Sequence, residues 1–143
     1  MKLIAIDKQL IASGPVADSE FLAGLCEATL SLSPDREPVF PWAGYLAEEN
    51  GTFVGTCAFK SAPRNGKVEI AYFTFPGHEG RGVATWMAMQ LVALAKHPDV
   101  TQVTAQTLKE RNASTRILEK LGFDVIGTAI DEEVGEVWEW RLR

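Results

Sequence analysis

Three closely spaced glycines, Gly77, Gly80 and Gly82, stand between an aromatic, β-branched segment and a nearly uninterrupted apolar run. This order predicts a strand, a tight turn and a helix whose first N–H groups have no carbonyl partner within the helix. Because the helix dipole places partial positive charge at that end, the turn can bind phosphate oxygens through the main chain alone. Glycine allows close approach and positive φ, and Arg81 adds one cation. The turn is therefore predicted to bind a phosphate-bearing ligand.

Two known phosphate-binding loops can be compared with this turn. A Walker A loop needs a lysine followed by a hydroxyl residue, and the segment GHEGRG that begins at Gly77 provides neither. The dinucleotide fingerprint G-x-G-x-x-G can begin at Gly80, but Thr85 occupies the position of its third small residue. A glycine-rich turn that binds nothing is the third alternative, because short motifs also occur without a ligand.

Glu69 is the candidate catalytic residue. It precedes the turn on the predicted central strand, where it alternates with Ala71 and Phe73. A carboxylate in this place could accept a proton directly or through water. Exposure to solvent, or an ion pair with Lys67 or Arg64, explains the residue equally well.

The other reactive side chains lack partners at catalytic spacing. Cys26 and Cys57 form no C-x-x-C motif, so they are predicted to be buried free thiols. His78 and His97 show no metal-ligand spacing and are predicted to lie in loops. We therefore expect no metal site and no covalent enzyme intermediate.

Composition favours one domain that comprises residues 1–143. With 143 residues and 46% hydrophobic content, the chain can bury one substantial core. The net charge is −5 and the 14 basic residues are scattered, so we expect no nucleic-acid partner. The N-terminus lacks the apolar core of a signal peptide, and the longest apolar run is too short to span a bilayer. These features predict a cytoplasmic protein without a membrane partner.

The periodicity and the turn residues predict a mixed α/β fold. Asn50-Gly51 is a strong hairpin signal, and a crossover helix after the glycines should make the next strand parallel to the one before. Asn112 and Gly122 should cap a short helix. Strands are predicted at 2–6, 42–48, 52–60, 68–75, 100–107, 123–130 and 134–142, and helices at 18–32, 82–96 and 112–122. The second helix is almost entirely apolar, which predicts burial on more than one side.

Two blocks resemble a known family. The segment from Glu79 to Ala84, EGRGVA, is similar to the phosphate-loop motif [Q/R]-x-x-G-x-[G/A], and ERNASTRILEKLGF follows from Glu110 to Phe123. Together with the closing EVWEWRLR, they resemble the GNAT superfamily of acyl-CoA N-acetyltransferases. The similarity covers roughly residues 42–143, and the second block and the closing segment resemble the branch that includes ribosomal-protein N-terminal acetyltransferases.

The resemblance implies a single-domain fold with a mixed, mostly antiparallel sheet and flanking helices. It implies acetyl-CoA as cosubstrate, an amine acceptor as the second partner, and a homodimer as one expected assembly. The main chain of Tyr72, Phe73 and Thr74 would pair with the pantetheine arm. Asn112 would contact the pantetheine or the substrate. The remaining implied contacts are those of the pyrophosphate with the amides of Gly80, Arg81, Gly82, Val83, Ala84 and Thr85.

The sequence departs from the family pattern at three places. Glu79 replaces the usual Gln or Arg, so its side chain is expected not to bind the ligand. The second block is one residue shorter than its common form, which leaves Arg111 or Asn112 for the role of the asparagine. Leu118 stands where many members carry a tyrosine general acid. Ser114 is interpreted as an early-helix hydroxyl.

The resulting hypothesis is an N-acetyltransferase that moves acetyl directly from acetyl-CoA to a primary amine, either a protein N-terminus or a small amine. The segment Ser31–Pro41 and the final hairpin are expected to select the acceptor, and Tyr45, Trp138 and Trp140 are either core or pocket wall. Two alternatives stand beside it: a catalytically inactive acyl-CoA-binding sensor and a dinucleotide-binding module.

Overall fold

The computed structural model describes residues 1–143. The helices are α1 (Lys8–Ala12), α2 (Gly14–Ala17), α3 (Glu20–Leu30), α4 (Val83–Leu94) and α5 (Ala113–Leu121), with a 3-10 turn at Pro34–Arg36. The strands are β1 (Lys2–Ala5), β2 (Gly44–Glu49), β3 (Thr52–Phe59), β4 (Lys67–Thr74), β5 (Gln102–Leu108), β6 (Phe123–Asp131) and β7 (Gly135–Leu142).

All the strands belong to one 7-stranded sheet in the order β1-β2-β3-β4-β5-β7-β6. Neighbouring strands are antiparallel except β4 and β5, which are parallel. The parallel pair arises because α4 returns the chain to the end of the sheet at which β4 began. The predicted mixed, mostly antiparallel sheet with flanking helices is confirmed.

The two central strands separate part-way along their length. Pairing of β4 with β5 extends from Lys67 opposite Gln102 to Ile70 opposite Ala105 and then stops. Strand β4 continues to Thr74 and stays paired with β3 on its other side. One edge of β4, from Ala71 to Thr74, therefore has no strand partner.

Helix α4 packs closely on the sheet face that carries Gly55. A Cβ at Gly55 would lie only 2.9 Å from Cε of Met87, so the absence of a side chain sets the distance between helix and strand. Met87 and Leu91 are completely buried there. The outer side of α4 is less buried than its apolar sequence predicts, since Met89 is 51% exposed. The opposite sheet face packs on α1 to α3 through a second cluster that includes Leu46 and Cys26.

Most local predictions agree with the structure to within two residues. Asn50 and Gly51 both adopt positive φ in the β2–β3 hairpin, and the Ser19 side chain caps the start of α3. Both cysteines are buried and free. Helices α1 and α2 are not predicted, because helices of 5 and 4 residues are too short to show a hydrophobic period. No helix is long and apolar enough to cross a membrane.

Substitution of Gly55 tests the close packing of α4. We expect Gly55→Ala to lower the free energy of unfolding by about 1–3 kcal/mol, because the new methyl overlaps Met87 and the main-chain oxygen of Phe73. Gly24→Ala on α3 is the matched control: no atom lies within 4 Å of the new methyl, so we expect a gain of about 0.5–1 kcal/mol. Urea denaturation measures both, and equal changes in the two variants would contradict this account.

Candidate functional site

A cavity of about 730 Å³ lies between the free edge of β4, the glycine turn and α5. Both predicted regions of the ligand site therefore reach the same cavity, although they are separated along the chain. Residues of the predicted cofactor site that line it are Tyr72, Phe73, Thr74, Gly80, Gly82, Ala84 and Thr85.

The main chain of the glycine turn has unused hydrogen-bond donors. None of the N–H groups of residues 80–85 donates to a protein acceptor, and Gly82, the N-cap of α4, has no side-chain capping bond. The first turn of α4 also contains no acidic residue. These donors thus remain available to a ligand, together with the positive end of the helix dipole.

Glycine is required in this turn for two reasons. Gly77, Gly80 and Gly82 have φ of 90°, 76° and 79°, a region that other residues rarely adopt. A Cβ at Gly80 or Gly82 would meet no protein atom within 4 Å. The space in front of these amides is therefore open, and a side chain there would project into it.

Two residues of the predicted pyrophosphate site lie outside the cavity lining. The Arg81 guanidinium is 3.3 Å from Oε1 of Glu49 and 2.9 Å from Nδ1 of His78, so it is already paired within the protein. The Val83 side chain is 2% exposed and belongs to the core. Only the main-chain N–H of each residue is thus available to a ligand.

The cations of the cavity come from α5. Arg116 and Lys120 line it, and neither takes part in an ion pair within the chain. Sequence reasoning missed both residues. Their spacing of four, after a helix start at Asn112, is the signal that could have placed them on one face of α5.

Glu79 brings a negative charge to the mouth of the cavity. Its carboxylate is fully exposed, and main-chain N–H groups of Glu79 and Gly77 hold its pKa below the usual value. The carboxylate therefore stays ionised at neutral pH. An anionic ligand is expected to avoid this side chain and to contact residues 80–85 instead.

Asn112 acts as the N-cap of α5. Its Oδ1 accepts from the N–H of Thr115 at 3.2 Å, while the Thr115 hydroxyl accepts from the N–H of Asn112 at 2.9 Å. The Asn112 amide nitrogen donates to Glu110. Arg111 forms an ion pair with Glu119 and stacks over Trp138. Neither side chain lines the cavity, and the structure explains Asn112 by its capping bonds.

Tyr72 and Ser114 connect β4 to the start of α5. The Tyr72 hydroxyl donates to the main-chain oxygen of Ser114 at 3.2 Å, and the Ser114 hydroxyl lies 3.4 Å from it as a donor. Burial raises the pKa of Tyr72, and the bond from Ser114 opposes this only partly. Leu118 is completely buried in the core. The Tyr72 phenol therefore lies in the cavity. Leu118, the α5 position at which the family pattern has a tyrosine, is apolar.

Glu69 lies on the other face of the sheet from Tyr72, because successive strand residues alternate. Its Oε2 is 2.7 Å from Nζ of Lys60, rather than near either predicted partner, Lys67 or Arg64. The oxygen is buried and the contact is not aligned as a hydrogen bond, so it is an ion pair. Lys60 also lines a second cavity of about 300 Å³ with Trp42.

Residues 11–124 match the acetyltransferase (GNAT) domain family. The chain belongs to this family. The predicted family is thereby confirmed for most of the length of this acetyltransferase. No curated protein sequence matches the chain.

Solved structures agree with the family in fold. The acetyltransferase is similar to a spermidine N-acetyltransferase chimera from Vibrio cholerae and hSSAT, with 12% identity and a TM-score of 0.72 over 99% of this chain and 95% of that chain. It is similar to the ribosomal L7/L12 alpha-N-protein acetyltransferase, with 15% identity and a TM-score of 0.70 over 97% and 87%. A putative acetyltransferase from Salmonella typhimurium with its cofactor acetyl-CoA shows 21% identity and a TM-score of 0.62 over 85% and 70%. The chain spans between 63% and 67% of the length of several further matches.

The variant Asn112→Ala tests whether Asn112 only caps α5 or also binds the ligand. Because both bonds of the capping box are lost, we expect the free energy of unfolding to fall by about 0.5–2 kcal/mol. We expect the affinity for coenzyme A, measured by calorimetry below the unfolding temperature, to stay within about twofold of wild type. Asn112→Ser, which retains a capping oxygen, should recover most of the stability. A tenfold loss of coenzyme affinity in a folded Asn112→Ala variant would instead identify Asn112 as a ligand.

Proposed function

We propose that this acetyltransferase moves an acetyl group from acetyl-CoA directly to a primary amine. The observation that carries the proposal is the set of unpartnered N–H groups at residues 80–85, next to the unpaired edge of β4. A diphosphate is an acceptor-rich anion that suits a helix N-terminus, and an extended amide chain suits an open strand edge. Coenzyme A contains both groups.

The residues of the larger cavity fit the coenzyme in order along its length. The amides of residues 80–85 would hold the pyrophosphate, with Arg116 and Lys120 supplying positive charge from α5. The main chain of Tyr72, Phe73 and Thr74 would pair with the pantetheine arm. The Salmonella typhimurium structure, solved with acetyl-CoA, supports this choice of cosubstrate. When bound, the coenzyme supplies an activated acetyl group.

Glu69 is the proposed base. Where β4 and β5 separate, beyond Ile70, a thioester on one side of the sheet would be accessible to an amine from the face that carries Glu69. The carboxylate would take the proton that the amine loses as it attacks the thioester carbonyl. Lys60 holds that carboxylate in place through the 2.7 Å ion pair.

An α-amine is the preferred acceptor. At pH 7 an α-amine with a pKa of about 7.7–8.0 is neutral roughly once in six to eleven molecules, and a lysine amine near ~10.4 only about once in 2,500. An amine that is neutral more often depends less on a base, which favours the α-amine. The ribosomal-protein and spermidine enzymes among the similar structures act on different kinds of amine, so both must be tested.

A thiol-release screen tests the proposed function. Purified protein with acetyl-CoA is offered N-terminal peptides, lysine peptides, polyamines and small amines, and free coenzyme A is measured. We expect amine-dependent release, fastest with an α-amine. Tight binding of acetyl-CoA without release against any amine would support the acyl-CoA sensor instead.

Gly82→Trp tests the phosphate-binding turn. The indole would fill the open space in front of the amides, so we expect coenzyme affinity to fall at least about 100-fold by calorimetry. Gly77→Trp is the matched control, because it introduces the same side chain at a similar positive φ outside the cavity lining. It should cost similar stability and leave affinity within about threefold. Retained affinity in a folded Gly82→Trp variant would show that the ligand binds elsewhere.

Glu69→Gln tests the base. We expect the rate at pH 7 with saturating substrates to fall by about 100-fold or more, because general base catalysis typically contributes that much. Glu139→Gln is the matched control: Glu139 lies on the same sheet face and is similarly exposed, and it pairs with Lys67 at 3.8 Å. Its rate should stay near wild type. Equal rates in wild type and Glu69→Gln would remove Glu69 from the mechanism.

A further inference from the structure

A second cavity, of about 300 Å³, lies beside the proposed base. The segment between α3 and β2 lines it with Ser33 and Val39, and the segment between β3 and β4 lines it with Lys60 and Arg64. Lys60 joins this cavity to Glu69, because its Nζ lies 2.7 Å from Oε2 of that carboxylate. An amine acceptor bound in the second cavity would therefore lie next to Glu69.

The second cavity is positively charged, although the net charge of the chain is −5. Lys60 and Arg64 are the only charged residues that line it, and no carboxylate does. The rest of its wall is uncharged and includes the rings of Trp42 and Phe59, which pack edge to face. An anionic group in this cavity would meet no lining carboxylate.

Lys60 and Arg64 differ in what already balances their charge. Lys60 pairs with Glu69 and lies within electrostatic range of Asp131 at the end of β6. Main-chain N–H groups of residues 133 and 134 hold the pKa of Asp131 below its usual value, and the charge of Lys60 lowers it further. The Arg64 guanidinium, in contrast, takes part in no ion pair and stacks on no aromatic ring within the chain. Arg64 is therefore the cation of this cavity that remains available to a ligand.

We propose that the acceptor is a primary amine that also carries a carboxylate, and that Arg64 binds this carboxylate. The planar guanidinium can donate two parallel hydrogen bonds to a carboxylate. The amine would lie beside Glu69 while the carboxylate lies at Arg64. An acidic side chain near a protein N-terminus and a free amino acid both have this chemistry. The inference rests on the proposed function and defines its acceptor more closely.

The same charges disfavour a polyamine acceptor. Its remaining ammonium groups would face Lys60 and Arg64 with no lining carboxylate to bind them, and like charges at close range repel. The cavity is also small, at the lower end of the volumes that hold ligands. It therefore suits a short acceptor with one negative charge.

Matched acceptor pairs test the proposal in the thiol-release assay. One pair consists of N-terminal peptides that differ only by glutamate or glutamine at the second position, and the other consists of alanine and alaninamide. For each pair, kcat/KM at saturating acetyl-CoA gives an acid preference, which is the value for the acid divided by that for the amide. The peptide pair represents a protein N-terminus, and the alanine pair represents a free amino acid.

Arg64→Glu should lower the acid preference of at least one pair by about 10-fold or more, because repulsion replaces a charge-assisted bond. Comparison of the same pair between variants cancels differences in the intrinsic reactivity of the two amines. Arg64→Lys, which keeps the charge but not the planar fork, should give an intermediate preference.

Lys96→Glu is the matched control. It changes the net charge by the same amount, Lys96 forms no ion pair, and it does not line the second cavity. Its acid preference should stay within about twofold of wild type. The affinity of Arg64→Glu for coenzyme A, measured by calorimetry, should also stay within about twofold, since Arg64 does not line the larger cavity.

The outcomes separate this inference from the proposed function. If an amine is acetylated but Arg64→Glu leaves the acid preference of both pairs unchanged, or a polyamine is the fastest acceptor, the acceptor assignment is wrong and the proposed function still stands. A loss of preference confined to one pair supports the inference and identifies the peptide or the free amino acid as the acceptor. If no amine releases coenzyme A, the proposed function fails, and this inference fails with it.

Discussion

Main-chain hydrogen-bond groups without protein partners are the constraint on which this acetyltransferase depends. Buried main-chain groups are almost always paired in folded proteins. Here two sets lie unpaired beside the same cavity, one along β4 from Ala71 to Thr74 and one at the start of α4. They result from a single arrangement, because the chain leaves β4 where it has separated from β5 and enters α4 through glycines. The ligand would supply hydrogen-bond partners for both sets of main-chain groups.

The surrounding structure holds these main-chain groups in position but forms no hydrogen bonds with them. Gly55 lets α4 pack against β3, and the completely buried Met87 and Leu91 fix its position. The capping box at Asn112 and the left-handed Gly122 define both ends of α5, which forms the opposite wall of the cavity. Packing and capping within the protein therefore organise the walls of the cavity.

The sheet also separates the larger cavity from the proposed base. Tyr72 and this cavity lie on the α5 side, and Glu69 with Lys60 lies on the other. In the proposed reaction, the separated strands lie between the thioester and the carboxylate that would accept the proton of the amine. Direct acyl transfer of this kind depends on positioning and proton transfer.

The sequence by itself determined the features that depend on neighbouring residues: the glycine turn with free amides, the Asn50-Gly51 hairpin, the Asn112 cap and the parallel crossover. Each follows from backbone sterics or local hydrogen bonds. Only the tertiary structure decided that Arg81 pairs with Glu49, that Glu69 pairs with Lys60, and that the Tyr72 hydroxyl reaches α5. These contacts join residues distant along the chain, so they depend on strand register and helix packing that no local pattern encodes.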